Sequence, residues 1–244
     1  MPASPLLGQT ALVTGGAKGY GAGIAEALRT QGARVWITGR DEAALRKTAA
    51  ALDVAWIRAD ATVPEDWDRA LGTVLGAAGR LDILVNNAGG GVKIAATEDQ
   101  TDASIASVIA LNFTGVIFGC RRVAAIMRKQ GAGIIVNISS VAGHHAWPTW
   151  GIYGAAKAGL NHFSKSLYLE LRPHGVRVTT VTPSWGATEF TDAAGLGPRD
   201  ADTLKKCIKP AELGRLVADH CALPAHLCVQ ETILWPMVQE VSPL

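Results

Sequence analysis

Six short apolar runs, separated by longer segments with helical spacing, constrain the fold of this 244-residue chain more than any other feature. The runs are rich in Val, Ile and Thr and apolar on both faces, as strands buried in a parallel sheet are. They lie at residues 10–15, 34–39, 54–59, 82–87, 133–139 and 177–183. Between them, apolar residues recur at helical intervals, for example at Leu160, Phe163, Leu167 and Leu171. This alternation predicts a parallel sheet with helices on both faces.

Right-handed crossovers then favour an α/β, doubly wound, Rossmann-type fold whose ligand crevice opens at the carboxyl ends of the strands. A further strand is predicted at about residues 227–235, giving a mostly parallel sheet of about seven strands. Because no repeat, low-complexity segment or linker is present, residues 1–244 are expected to form one domain. Within it, residues 1–7 are expected to be flexible, and residues 188–206, punctuated by Gly and Pro, to form a substrate lid.

The composition excludes several classes of partner. A net charge of +2 gives no basic face for nucleic acid. No run is expected to reach the ~18 apolar residues of a membrane span, and the N-terminal residues lack a signal-peptide pattern. The four cysteines are scattered, and His144 and His145 are adjacent with no evident third ligand, so no metal site is expected. These observations predict a cytoplasmic protein with reduced thiols.

A glycine-rich turn, "TGGAKGYGAGIAEAL", follows the first strand and enters a helix. Gly15, Gly19 and Gly21 would let the backbone approach a pyrophosphate at the helix N-terminus, where free N–H groups favour anions. Their spacing differs from the common GxGxxG pattern, and a merely tight strand–helix turn is the alternative. The position after the first strand of an alternating chain favours dinucleotide binding.

Tyr153 and Lys157 lie one helical turn apart and so project from the same helix face. Ser140 ends the fifth predicted strand, thirteen residues before Tyr153. A phenol with a pKa of about 10 can act as a base only when nearby positive charge stabilises the phenolate. A close ammonium and an oxidised nicotinamide would both do so, which makes the pair suitable for moving a proton while hydride moves. Taken alone, a Tyr and a Lys four apart are more often an ordinary surface pair.

Three motifs together resemble the short-chain dehydrogenase/reductase family over roughly residues 8–220. They are Thr14-Gly15-x-x-x-Gly19-x-Gly21, Asn86-Asn87-Ala88-Gly89, and Ser140 with Tyr153 and Lys157, in that family's order. The resemblance implies a nicotinamide-dependent oxidoreductase that interconverts secondary alcohols and ketones.

The resemblance also assigns roles to these residues. Tyr153 would be the general acid/base, Lys157 would lower the pKa of Tyr153 and bind the nicotinamide ribose, and Ser140 would orient the substrate oxygen. Asn112, in "IALNFTGV", matches the fourth catalytic residue of the family and suggests a water-linked proton path to the lysine.

The end of the second strand, "WITGRDE", bears on the cofactor. Gly39 stands where NAD-using relatives carry an acid, and Arg40 and Lys18 supply cations that suit a 2′-phosphate, which favours NADP(H) over NAD(H). Asp41 is expected to cap the next helix, although an NAD-binding role for it stays open. Asp60 either holds the adenine or caps a turn. The cofactor-binding residues implied are Gly15, Lys18, Gly19, Tyr20, Gly21, Arg40, Asp60, Ala61, Asn87, Ala88, Gly89, Tyr153, Lys157, Pro183 and Thr188.

The chain departs from the family pattern in two places. Pro183-Ser184 replaces the usual Pro-Gly, where a positive φ would be costly for Ser184. The C-terminal region, "HLCVQETILWPMVQEVSPL", replaces a "DGG"-like ending.

Aromatic residues near these segments favour a mid-sized, partly apolar ketone or alcohol, although several Trp residues could instead pack the lid or a subunit interface. The expected substrate residues are Ser140, His145, Trp147, Trp150, Tyr153, Trp185 and Phe190.

Small residues around Tyr153 predict that its helix packs against its symmetry mate in a homodimer or homotetramer. Two other functions remain open on the sequence. A non-catalytic nicotinamide-binding regulator or scaffold would not need the whole catalytic set, and an epimerase or dehydratase would need a larger substrate domain.

Overall fold

The computed structural model describes residues 4–91, 93–190 and 199–240 and contains one seven-stranded sheet. All neighbouring strands pair in parallel, in the order β3-β2-β1-β4-β5-β6-β7. The strands are β1 Thr10–Thr14, β2 Arg34–Gly39, β3 Ala55–Arg58, β4 Ile83–Asn86, β5 Gly133–Ile138, β6 Val176–Pro183 and β7 Glu231–Leu234. The predicted parallel sheet is therefore confirmed, with β7 shorter than expected.

Helices cover both faces of the sheet, as the alternation predicts. They are α1 Gly19–Thr30, α2 Glu42–Leu52, α3 Pro64–Ala78, α4 Asp102–Ile109, α5 Gly115–Gln130, α6 Gly151–Leu171, α7 Ala201–Lys206 and α8 Pro210–Ala222. Neighbouring strand residues point to opposite faces: Val13 packs with α1, α2 and α8, whereas Leu12 packs with α3, α5 and α6. The sheet is thus buried on both sides.

The strand order reverses between β1 and β4. The chain leaves β1 towards β2 and β3 on one side, and it continues from β4 to β7 on the other. Doubly wound sheets bind ligands in the crevice outside such a reversal, at the carboxyl ends of the strands. The glycine turn after β1 and the Asn-Asn-Ala-Gly segment after β4 meet at this point.

The structure differs from the sequence-based expectations for the flexible N-terminal residues and for a membrane-length apolar run, and it describes only part of the expected lid. Leu6, in the segment expected to be flexible, is fully buried, and its N–H donates to the carbonyl of Gln31 over 3.0 Å; residues 1–3 lie outside the described part. Of the expected lid, residues 191–198 also lie outside it. Contrary to the expectation that no run could span a membrane, the helical run Asp102–Gln130 is long and apolar enough to do so, with a mean hydropathy of 1.8 over an 18-residue window. Its Val116 and Cys120 pack against the sheet, as residues of a core helix do.

Candidate active site

A cavity of about 1290 Å³ opens at the carboxyl ends of the strands. All the predicted cofactor-binding residues except Gly21 line it, as do all the predicted substrate residues except His145. Ser140, Tyr153 and Lys157 line it too, whereas Asn112 lies behind the cavity wall. The structure therefore brings most of the predicted site together at one crevice.

The glycine turn is shaped by the absence of side chains. Gly15 and Gly19 adopt positive φ values of +64° and +49°. A Cβ on Gly21 would lie 2.1 Å from the carbonyl oxygen of Gly15, so Gly21 closes the turn from beneath the cavity surface. Helix α1 begins at Gly19 with no acidic residue in its first turn, and the side chain of its N-cap residue, Lys18, makes no capping hydrogen bond. Its N–H groups are thus suited to an anion.

Two asparagines fix the end of β4 to its neighbours. The side-chain amide of Asn87 donates to the carbonyls of Thr14 and Gly15 over 3.0 and 3.1 Å. The backbone N–H groups of Asn87 and Ala88 in turn donate to the Thr14 hydroxyl, each over 3.0 Å. Asn86 donates to Asn137 on β5 over 2.8 Å. These asparagines therefore tie neighbouring strand ends together, and the motif residue Thr14 has a structural role that the sequence did not indicate.

The end of β2 and the end of β3 form the other extremity of the cavity. Lys18 and Arg40 both line it there. Asp41 accepts from the N–H of Ala44 over 3.0 Å, which confirms it as the cap of α2. Asp60 accepts from the N–H and the hydroxyl of Thr62 over 2.9 and 2.8 Å, and it also lines the cavity. Asp60 therefore stabilises a turn and still lies in the cavity wall.

Tyr153 and Lys157 are both buried on the first turns of α6, at 6% and 4% exposure. The ammonium of Lys157 donates to the carbonyl of Ile138 over 2.9 Å and lies 5.7 Å from the centre of the Tyr153 ring. Ser140 caps the turn Val141–Gly143 that follows β5, and its hydroxyl accepts from the N–H of Ala142 over 3.2 Å. The strand end and the helix start thus meet as the sequence predicts.

Ser139 has a different environment from Ser140. Its hydroxyl donates to Asn161 of α6 over 2.5 Å. Asn161 also contacts His144, which pairs with Glu231 of β7 over 2.6 Å. The Ser139 hydroxyl is thus bound to α6, whereas the Ser140 hydroxyl is the one next to the Tyr153 phenol.

Burial dominates the titration of the pair. It raises the pKa of Tyr153 to about 12, and the Ser140 hydroxyl opposes this rise. Burial also lowers the pKa of Lys157 to about 8. The expected depression of the tyrosine pKa by Lys157 is therefore not present in the protein alone. The Tyr153 phenol is protonated at neutral pH and requires added positive charge to become a base.

Asn112 lies in a π-helical turn, Ala110–Thr114, between α4 and α5. It is fully buried: its amide oxygen accepts from the N–H of Gly90 over 3.0 Å, and its amide nitrogen donates to the carbonyls of Gly90 and Val108. A Cβ on Gly89 would lie 3.0 Å from the Asn112 amide oxygen and 3.5 Å from the Lys157 ammonium. Asn112 therefore anchors the loop after β4 close to Lys157.

Aromatic side chains form a continuous wall beside Tyr153. The ring of Tyr153 lies 5.9 Å from that of Trp150 and 5.8 Å from that of Phe190, and Trp147 continues the row 6.4 Å from Trp150. His145 instead packs between Trp147 and Trp235, at 6.0 and 5.4 Å. The sequence could not indicate this position of His145, because Trp235 follows β7, far away in the chain.

The C-terminal residues Val238, Gln239 and Glu240 also line the cavity, as does Arg199, and none of them was predicted. Gln239 accepts hydrogen bonds from the Ser184 hydroxyl and the Trp185 N–H. The two departures from the family pattern thus contact each other. Ser184 is not among the described residues with positive φ, so the expected strain does not arise there. Within residues 4–91, 93–190 and 199–240, no group of three or more potential metal ligands occurs.

Comparison with known proteins agrees with this geometry. The short chain dehydrogenase family model matches residues 9–197. A 3-alpha-(or 20-beta)-hydroxysteroid dehydrogenase of Mycobacterium tuberculosis is 36% identical, over 87% of this chain and 82% of the relative. A closed form of serine dehydrogenase complexed with NADP⁺ superposes with a TM-score of 0.89 at 27% identity, covering 97% of this chain and 98% of that one. A metagenomic short-chain oxidoreductase in complex with NADP has a TM-score of 0.83 at 31% identity, covering 96% and 100%.

Proposed function

Because the chain belongs to the short-chain dehydrogenase/reductase family and is an oxidoreductase of hydroxyl and carbonyl groups, we propose that it uses NADP(H) to interconvert a ketone and a secondary alcohol. Tyr153 is the general acid/base in this proposal. The observation that carries it is the buried Tyr153–Lys157 pair beside Ser140, on the wall of a cavity at the strand-order reversal.

The residues at the crevice fit a dinucleotide. A Cβ on Gly15 would lie 2.9 Å from the Cα of Ala88, so the turn leaves backbone rather than side chains facing the crevice. The Thr188 side chain lies against Gly19, because a Cβ on Gly19 would be only 3.4 Å from it. Thr188 would therefore join the glycine turn in holding the pyrophosphate. Lys18 and Arg40 line the end where a 2′-phosphate would lie. The NADP in the two structural relatives supports this preference over NAD.

When bound, the nicotinamide exchanges a hydride with the substrate carbon. In the direction of reduction, the protonated phenol of Tyr153 donates its proton to the carbonyl oxygen, and the Ser140 hydroxyl polarises and orients that oxygen. In the direction of oxidation, the Tyr153 oxygen accepts the alcohol proton. Lys157, held by the carbonyl of Ile138, would bind the nicotinamide ribose, and the Tyr153 phenolate would form only with the added positive charge of the oxidised nicotinamide.

The aromatic wall supports an apolar, ring-bearing substrate. Trp147, Trp150 and Phe190 present ring faces and edges next to Tyr153, and such surfaces favour flat apolar rings. The mycobacterial relative is named for hydroxysteroids, which have this character. We therefore place cyclic ketones and the corresponding alcohols first among the substrates to be tested.

A homodimer or homotetramer through α6 is part of the proposal. Ala155 and Ala158 are exposed on this helix, and small exposed residues allow a second helix to approach closely. Light scattering at micromolar concentration tests this part, and a monomer would contradict it.

The function is tested by a panel of cyclic and acyclic ketones and alcohols, assayed with NADPH or NADP⁺ and with NADH or NAD⁺ in parallel at 340 nm. We expect turnover of cyclic ketones with NADPH. Tight NADPH binding with no turnover across the panel would contradict the proposal and would favour a nicotinamide-binding regulator.

A further inference from the structure

The C-terminal tail folds back onto the candidate active site. After β7 the chain turns, and the N–H of Gln239 donates to the carbonyl of Pro236 over 3.0 Å. This turn places Val238, Gln239 and Glu240 in the cavity wall, whereas Met237 points fully into solvent.

The orientation of the Gln239 amide is determined by its partners. The N–H of Trp185 lies 3.1 Å from the Gln239 amide oxygen. Because a backbone N–H can only donate, the amide oxygen and not the amide nitrogen must face it. The Ser184 hydroxyl donates to the same oxygen. One acceptor of the tail therefore binds two consecutive residues of the segment after β6.

This contact begins where the regular sheet ends. The N–H of Ser184 still donates to the carbonyl of Leu234 on β7 over 2.9 Å. The N–H of Trp185 lies beyond that last pairing, and Gln239 takes the place of a strand partner for it. On its other side, the carbonyl of Trp185 accepts from the N–H of Ile208 over 3.0 Å. The backbone of Trp185 is thus held by the tail and by the segment before α8.

The Trp185 side chain lines the cavity, and the guanidinium of Arg199 lies 4.5 Å from the centre of its ring. A shift of the Trp185 backbone would therefore change the shape of the substrate end of the cavity. The contacts of the glycine turn with the loop after β4 do not involve Trp185 or Gln239.

We propose that Gln239 is a positioning residue that fixes Trp185 in the wall of the substrate site, so that the C-terminal tail helps to determine substrate affinity. The proposal rests on the proposed function for its meaning in catalysis. It also gives one reason for both departures from the family pattern: a glycine in place of Ser184 would offer the tail no hydroxyl.

The test compares Gln239→Leu, which removes the acceptor, with Gln239→Glu, which keeps acceptor oxygens. Met237→Ala is the matched control, since it changes an exposed side chain of the same tail. In Gln239→Leu we expect about tenfold faster hydrogen exchange in the peptide that contains the Trp185 amide. We also expect a KM for the ketone raised by about tenfold, with the Kd for NADPH within about twofold of wild type. Gln239→Glu and Met237→Ala should resemble wild type in all three measurements.

Unchanged exchange at Trp185 in Gln239→Leu would overturn the proposal, as would a parallel rise of the ketone KM and the NADPH Kd. If Gln239→Leu does not fold, Ser184→Ala takes its place: it deletes one of the two donors, and a smaller change in the same direction is expected. No change in Ser184→Ala would also overturn the proposal. If the wild-type protein reduces no ketone, the proposed function fails, whereas the exchange measurement still decides whether Gln239 holds Trp185.

Discussion

The two ends of the cavity are built in different ways. At the cofactor end, backbone geometry defines the surface: positive φ at Gly15 and Gly19, and amide hydrogen bonds between Thr14 and Asn87 across adjacent strands. At the substrate end, side chains define the surface, and some of them, such as Trp185 and Gln239, come from segments outside the helices and strands. Few substitutions are tolerated where the backbone forms the cavity surface. Where side chains form it, substitutions can change which ligand is bound without changing the fold.

Lys157 lies where the two ends meet, and its burial affects stability. With a pKa of about 8 against an ordinary value of 10.5, it is charged below about pH 8 in both the folded and the unfolded state, and folding then bears the cost of burying the cation. Between about pH 8 and pH 10.5, Lys157 is protonated in the unfolded chain but neutral in the folded protein, so the free energy of unfolding rises with pH. We expect dinucleotide-free Lys157→Met to be more stable than wild type at pH 7, by on the order of 3 kcal/mol.

The difference in unfolding free energy between Lys157→Met and wild type should shrink between about pH 8 and pH 10.5, and it should vanish above pH 10.5. Urea unfolding of both proteins at pH 7, 9 and 10.5 measures it. A difference in unfolding free energy that does not depend on pH would contradict the burial of a charged lysine.

Gly21→Ala tests whether backbone defines the cofactor end. Its Cβ would lie 2.1 Å from the carbonyl oxygen of Gly15 and 2.6 Å from the Asn87 amide nitrogen, so the turn must open. We expect the affinity for NADPH, measured by fluorescence titration, to fall by about 100-fold. Gly72→Ala in α3, where a Cβ would meet nothing within 4 Å, is the control and should bind normally. Normal binding by Gly21→Ala would show that the turn is not part of the site.

Arg40→Ala tests the preference for NADP(H). Arg40 lines the cavity beyond the end of β2, and loss of one charged contact to a phosphate should weaken NADPH binding by about tenfold. The Kd for NADH should be unchanged, since NADH has no 2′-phosphate. Equal effects on both dinucleotides would assign Arg40 a structural role instead.

Trp150→Ala tests the substrate end and should have the smallest effect. Removing one edge-to-face contact of the aromatic wall is expected to raise the KM for a cyclic ketone by about fivefold. The Kd for NADPH should stay within about twofold of wild type. A larger effect on NADPH than on the ketone would contradict the division of the cavity into two ends.

The sequence predicts the cofactor end well because its signals are local. Val-, Ile- and Thr-rich runs indicate the strands, and the glycines after β1 and the cap at Asp41 act within a few residues of their own position. These features follow from backbone freedom and helix-end hydrogen bonding, which the residue type alone expresses.

Several contacts between distant segments could not be predicted. The Asn112 amide, in a π-helical turn, binds the backbone of Gly90, on a loop 22 residues earlier. The contact of Ser184 with Gln239 joins residues 55 positions apart, and no periodicity marks it. The place of His145 in the sequence predicts a contact with substrate, but its ring packs against Trp235 and does not line the cavity. In each case a partner brought in by the tertiary fold determines where the side chain lies.

The central claim is that the Tyr153 hydroxyl exchanges a proton with the substrate oxygen while NADPH is already bound. Single-turnover mixing of the NADPH complex with a cyclic ketone, followed at 340 nm for wild type and Tyr153→Phe, tests it most directly. We predict that Tyr153→Phe binds NADPH with the wild-type Kd but oxidises it about 1000-fold more slowly. Oxidation of NADPH by Tyr153→Phe at the wild-type rate would contradict the account.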